Sequence, residues 1–417
     1  MKRVFLFLLS CAVILPCTVT TGLGQQDLNS GAQAGPLALT GGLNGNGHFA
    51  VDYSFKGSNG ATPTATPIQD GAGNLYGTTS SGGSGLGVVF RLDTTNHEKV
   101  LYAFSGPDGA TPFGALVMDG SGNLYGTTFA GGAANLGTVF KIDSAGNESV
   151  LHSFAGSPND GANPYAGLVM DKSGNLYGTT VNGGSSNSGT IFKIDTAGNE
   201  SVLYSFLGSP NDGANPMAAL TLDPNGNLYG TTLTGGTASF GTVFELDTTN
   251  TETVLYNFTG LADGANPFGG VTRDDGTGIL YGTAENGGRK VNGPYPGPWL
   301  DKPYGCCKGV LYALNGGGLQ VLYTFTGGND GGSPAATLVL SNGILYGTTL
   351  IGGPGHRGTA FSVTIATGSE TVLHGFTGKS DGGTPGAGLL LNNAGVLYGT
   401  AVTGGRNGYG TVFQYKK

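Results

Sequence analysis

One unit recurs seven times along this chain and restricts its fold more than any other feature. Leu-Tyr-Gly places its tyrosine at Tyr76, Tyr125, Tyr177, Tyr229, Tyr281, Tyr346 and Tyr398, so successive copies lie 49, 52, 52, 52, 65 and 52 residues apart. A period near 50 belongs to solenoids, propellers and arrays, in which one supersecondary unit stacks on the next. Each period holds four strand-like runs bounded by Gly, Asn, Asp or Pro; in the third they are 166–171, 175–180, 189–195 and 200–206. That spacing is the meander of a single propeller blade.

The ends of the repeat choose the architecture. The fourth run reads like Glu200-Ser-Val-Leu-Tyr-Ser-Phe206, and a copy, His48-Phe-Ala-Val-Asp-Tyr-Ser-Phe55, stands before the first complete period. The last period stops after its third run at 410–415. One orphan strand at the front matches one missing strand at the back, and a ring that pairs them has no open edge. The chain therefore reads as all-β: a seven-bladed β-propeller of four-stranded antiparallel blades, closed by an N-terminal strand completing the last blade. The expected boundaries are a signal peptide over 1–24, a flexible segment over 25–46 and one propeller over 47–417, with a loop insertion at 289–308.

Composition agrees. Eighty-two glycines among 417 residues would suit disorder, but 18 Tyr and 20 Phe at recurring places do not. Lys2 and Arg3 precede an apolar run, 4–15, that is too short for a membrane span and has the form of an export signal. No other stretch approaches the length of a span, so the mature chain is expected to have no transmembrane segment. The formal charge of −8 becomes about −10 without the two leader cations, and no basic stripe is present. Nucleic acid is thereby excluded as an expected partner.

The unit resembles the tandem repeat called GloVer, found in exported bacterial proteins with varied surface anchors. The match is carried by Gly174-Asn-Leu-Tyr-Gly-Thr-Thr-x-x-Gly-Gly184, Gly189-Thr-Ile-Phe-Lys-Ile-Asp195 and Asn159-Asp-Gly-Ala-Asn-Pro164. The resemblance implies export and an extracellular, periplasmic or outer-surface location, and supplies no catalytic residues. The chain ends at Lys416-Lys417 directly after a strand, so release is expected rather than covalent anchoring.

In a propeller the loops joining the fourth strand to the next first strand share a face with those joining the second to the third. Here these loops vary between repeats, and binding is expected on them. Asp108, Asp160, Asp212, Asp263, Asp330 and Asp381 recur there, with Asn59 in the first period. Such a ring could hold Ca²⁺, but a carboxylate repeated in every blade reads as an Asx-turn. No cofactor is expected and no metal site is assigned. His152 and His374, which replace the tyrosine of the fourth strand, read as outer-strand substitutions.

Position by position, the residues opening the first strands vary: Thr64, Phe113, Tyr165, Met217, Phe268, Ala335 and Gly386. Phe113, Tyr165, Met217 and Phe268 make an aromatic and apolar arc that suits either a sugar ring or a packed plug. The fifth period is the outlier, with about sixteen extra residues between Gly282 and Gly309. The insertion holds Tyr295, Trp299, Asp301, Tyr304 and the adjacent Cys306-Cys307, which are expected to be disulfide-bonded to each other or to another chain. Arg273, Glu285 and Asn286 are peculiar to the same repeat, and His356-Arg357 occupies the next repeat's equivalent loop. These residues are the expected ligand site. The partner is expected to be a glycan or an extracellular protein bound by a non-catalytic binding or scaffold propeller. The alternative is a polysaccharide lyase or glycosidase in which Glu285, Asp301, His356, Arg273 and Tyr304 supply the chemistry.

Overall fold

The computed structural model describes residues 47–288 and 309–416. Within them it is all-β, and seven four-stranded antiparallel sheets follow one another along the chain. Blade one comprises Ile68–Gln69, Leu75–Thr79, Val88–Leu92 and Glu98–Ala103. Blade seven takes Leu390–Leu391, Val396–Ala401 and Thr411–Lys416 from the C-terminal end and His48–Ser54 from the N-terminal end. That last pairing runs antiparallel from His48↔Lys416 to Ser54↔Thr411. The orphan strand does complete the last blade.

The repeat unit explains itself residue by residue. The glycine of Leu-Tyr-Gly lies under the third-strand ring of its own blade. A Cβ there would sit 2.3–2.8 Å from Phe90, Phe140, Phe192, Phe244, Tyr312, Phe361 or Phe413, closer than any side chain tolerates. Each of those rings meets, edge to face, the phenylalanine that follows the preceding blade's fourth strand. The seven pairs run from Phe55–Phe90 to Phe376–Phe413, with centroids 5.0–5.4 Å apart. Such pairs add roughly 0.5–1.5 kcal/mol each beyond the area they bury.

The threonine after that glycine joins blades by hydrogen bonding. Thr78, Thr127, Thr179, Thr231, Thr283, Thr348 and Thr400 are buried, and each Oγ1 donates to a carbonyl on the next blade's inner segment at 2.7–3.2 Å. The seventh bond, Thr400 to Ala65, crosses the seam between the two ends of the chain. The inner segments themselves come into backbone contact around the axis. A Cβ on Gly114 would meet Ala166 at 2.5 Å, and one on Gly269 would meet Ala336 at 2.6 Å. This crowding shortens the inner strands relative to the expected runs: in blade three only Val169–Met170 pairs with the second strand.

The recurring aspartates close turns. In six of the loops entering a first strand, a carboxylate accepts from the tyrosine or histidine of the preceding fourth strand, as in Tyr204 to Asp212 at 2.9 Å and His374 to Asp381 at 3.2 Å. The same carboxylates accept backbone amides of their own loop, such as that of Leu207 to Asp212 and of Thr326 to Asp330. A second set, including Asp70, Asp119 and Asp171, closes the first-to-second turn and accepts from the repeated tyrosines Tyr76, Tyr125 and Tyr177.

Two consequences can be measured. Tyr312 stands where six blades have phenylalanine, and its buried hydroxyl has no hydrogen-bond partner. Tyr312→Phe should therefore stabilise the fold by about 1–2 kcal/mol, the cost of an unsatisfied buried hydroxyl, seen as a raised melting temperature. The grooves between blades carry the second. The carboxyls of Glu252 and Glu370 are half-buried beside Asp212 and Asp330 respectively, and Tyr204 and Tyr323 face them. Burial, followed by the neighbouring aspartate charge, pushes both up to about 7 from 4.5. Burial raises Asp52 to about 6 in the same sense. Carboxyls with folded values above their unfolded ones stabilise at low pH and lose that contribution as pH rises through the folded value. The melting temperature should accordingly fall from about pH 4.5 to about pH 7, and Glu252→Gln with Glu370→Gln should flatten that slope. A melting temperature that rises over this range would contradict the assignment.

Candidate functional site

On the variable face the loop entering each first strand is bridged to the loop between the second and third strands. Examples are Ala61↔Ser81, Ala110↔Ala130 and Ala265↔Asn286, with short ladders Gly161–Ala162 on Asn182–Gly183 and Gly213–Ala214 on Thr234–Gly235. These bridges set two rings of side chains around the channel mouth. One is the series that opens the first strands. The other directly follows the Thr-Thr or Thr-Ala that ends each second strand: Ser80, Phe129, Val181, Leu233, Glu285, Leu350 and Val402. Each residue of this second ring donates its amide to the entering loop, as Phe129 does to Thr111 and Glu285 to Asn266.

The aromatic arc assembles across three blades. Phe113 stacks on Tyr165 with centroids 4.7 Å apart, and Tyr165 meets Phe268 edge-on at 5.5 Å. Phe129 sits edge-on to Phe113 at 5.6 Å and to Tyr165 at 6.3 Å. Met217, from the blade between Tyr165 and Phe268, is buried at 3% exposure. The Tyr165–Phe268 contact thus joins blades three and five. Phe113, Tyr165 and Phe268 themselves stay half-buried. Across the mouth the equivalent positions are the small Thr64, Ala335 and Gly386. The mouth is therefore lopsided, with an aromatic wall on one side.

Glu285 is the one charged member of the second ring and is only 8% exposed. Its amide bonds to Asn266, two residues before Phe268, at 3.2 Å. The neighbouring Asn286 donates through Nδ2 to Asn266 Oδ1 at 3.3 Å. Glu285 and Asn286 thus share the mouth with the aromatic wall.

The structure separates other residues that were expected to join them. Arg273 is the last residue of its inner strand, paired with Leu280 at the end of the second strand remote from Glu285. Five strand residues, or ~17 Å, separate the two ends. Its guanidinium is held there by Asp275 and lies 5.8 Å from the centre of the Tyr229 ring, on the tight-turn face. His356 is exposed, and its φ of 56° matches Asn135, Asn187 and Ser239 at the same point of their loops. Its imidazole tops a turn whose Gly355 abuts Phe376, at the end of the outer strand. Arg357, also exposed, lies along Gly378 and accepts the Thr384 amide through its carbonyl at 2.7 Å. Both belong to the outer rim of blade six. The expected convergence of Arg273, Glu285 and His356 therefore fails: strand direction puts the first on the opposite face, and the loop path carries the third outward. Tyr295, Trp299, Asp301, Tyr304, Cys306 and Cys307 lie outside the described residues.

One cluster escaped the sequence reading. His152, Asp160 and Glu200 bring one ligating atom each within 4.8 Å of one another, the one such group of three His, Cys, Asp or Glu among the described residues. Its sequence signal is a histidine at a tyrosine position of the fourth strand, and its two carboxylates come from the following repeat.

Comparison with known proteins bears on fold and family. The structure resembles the oligogalacturonate lyase of Vibrio parahaemolyticus at 10% identity and a TM-score of 0.54, over 88% of this chain and 93% of that one. It also resembles the extracellular domain of a proposed one-component system of B. thetaiotaomicron at 12% identity and a TM-score of 0.51, over 85% of this chain and 40% of that one. A gluconolactonase of Xanthomonas campestris aligns at 13% identity and a TM-score of 0.43, over 89% and 90%. At these identities the likeness concerns the fold alone. No curated protein matches the sequence. The Gloeobacter/Verrucomicrobia repeat matches residues 42–223 and 304–417, well over half of the sequence, and the chain belongs to that family.

Proposed function

We propose that this protein is an exported, non-catalytic binding propeller that takes a neutral glycan at the channel mouth of its variable face. The observation that carries the reading is the half-buried wall of Phe113, Tyr165 and Phe268, with Glu285 on the loop whose amide bonds the segment carrying Phe268. Aromatic faces match the apolar faces of pyranose rings, and a carboxylate accepts hydrogen bonds from sugar hydroxyls. A negative group at the mouth of a chain of net charge −8 disfavours uronic-acid polymers.

The same geometry weighs against the enzymatic alternative. Hydrolysis of a glycosidic bond uses two carboxyl groups flanking the bond. A lyase acting on an acidic sugar would want a cation at the mouth, and Arg273 is bound to Asp275 on the opposite face. An enzyme built here would draw its second carboxyl, Asp301, or its tyrosine base, Tyr304, from the fifth-repeat insertion.

Binding of neutral oligosaccharides on a glycan array should weaken about tenfold or more in Tyr165→Ala and Phe268→Ala, at the upper end of what one aromatic contact contributes. His356→Ala, on the rim, should bind as the parent does. Release of reducing or unsaturated sugar by the parent, abolished in Glu285→Gln, would overturn the binding reading in favour of catalysis.

A further inference from the structure

We propose that the outer groove between blades two and three binds one divalent transition-metal ion of the zinc type through His152 Nε2, one Asp160 oxygen and one Glu200 oxygen. The three residues come from three different segments. His152 lies on the fourth strand of blade two, Glu148–Ser153. Asp160 sits in the connection to blade three, and Glu200 opens that blade's fourth strand, Glu200–Ser205. A metal there would tie the outer edges of two blades together.

The donor set suits such an ion. An imidazole nitrogen and two carboxylate oxygens are ligand types that zinc takes, and three of them leave a fourth position for water. His152 Nε2 and Asp160 Oδ2 lie 3.1 Å apart, close to the ~3.3 Å edge of a tetrahedron with ~2.0–2.1 Å bonds. Asp160 is held in place independently, since its Oδ2 accepts the Ala155 amide at 2.7 Å and its Oδ1 the Gly161 amide at 2.6 Å. Backbone donors of this kind orient a ligand before the metal arrives. Glu200 Oε1 is shielded from solvent and has no hydrogen-bond partner. On loading, His152 binds as a neutral imidazole that keeps its proton on Nδ1, any further proton on the imidazole or the two carboxyls passes to solvent, and a divalent ion with two carboxylates leaves the groove neutral.

The other grooves act as controls built into the chain. Tyr102–Asp108–Glu148, Tyr204–Asp212–Glu252 and Tyr323–Asp330–Glu370 repeat the arrangement with a phenol where blade two has an imidazole. A protonated phenol donates to the aspartate and offers a divalent ion no ready nitrogen ligand. His374 does bond Asp381, but Phe49 stacks on its ring at 3.6 Å and stands six residues before Phe55, the place that Glu200 holds before Phe206. That groove has the imidazole and lacks the second carboxylate. The second groove is the one place where a single histidine completes the set.

The test uses the full chain carrying Cys306→Ser and Cys307→Ser, which removes the adjacent thiols as competing ligands. Zinc added to the metal-free protein should bind with one equivalent by calorimetry and raise the melting temperature. Co²⁺ should give the visible absorption of a site with nitrogen and oxygen ligands. His152→Tyr, which recreates the sibling groove, should abolish binding and the thermal shift while leaving the metal-free melting temperature near that of the parent. Glu200→Gln should weaken binding at least tenfold, and His374→Tyr should change nothing. Absence of zinc binding in the parent, or a zinc shift that persists in His152→Tyr, would overturn the proposal.

Discussion

A buried threonine hydroxyl that reaches from one blade to the backbone of the next is the interaction on which this ring depends. It is made seven times, at 2.7–3.2 Å, and the seventh crosses the seam between the chain's two ends. Each such bond contributes only about 0.5–1.5 kcal/mol net. Its geometric demand matters more, because the acceptor carbonyl must be at the same place in every blade. The glycine one residue earlier lets the third-strand ring lie flat on the second strand, and that ring meets the preceding blade's phenylalanine. Leu-Tyr-Gly-Thr therefore encodes the packing within a blade and the contact between blades in four consecutive residues.

Uniformity of this kind narrows where function can reside. Aspartates that recur in six of the seven loops hold the turn to the fourth strand, and tyrosines that recur in the second strand hold the first turn. What differs from blade to blade is a short series of side chains at the channel mouth and one unusual outer groove. At the mouth, four aromatic rings from blades two, three and five converge, and blade five also carries Glu285, the one charged residue of the second ring. On the outer wall, one tyrosine-to-histidine exchange converts a hydrogen-bonded staple into a set of metal-binding atoms.

The blade count and the closing strand were legible in the sequence because a missing fourth run and an extra one can be matched by inspection. The aromatic arc was legible as a list, since position in the repeat fixes position on the ring. Its contacts were not. Tyr165 reaches Phe268 across the intervening blade, where Met217 is buried, and such a contact is set by side-chain placement rather than register. Arg273 was placed wrongly although its position was readable: it immediately precedes the first-to-second turn, and a strand has two ends. His356 misled for a related reason, because a left-handed turn position occupied by Asn or Ser in its siblings demanded a turn residue before it suggested a catalytic one. The His152 cluster was missed because its members are brought together by the interblade groove and not by any one repeat.

Native-state hydrogen exchange across the seam tests the closed ring most directly. If seven equivalent interblade contacts hold the molecule, amides of His48–Ser54 and Thr411–Lys416 should exchange as slowly as those of Thr190–Ile194 and Glu200–Ser205 in blade three. They should also open together with the rest of the propeller. Fast exchange confined to the seam, with protection rising toward the middle blades, would mark an open array and contradict the account.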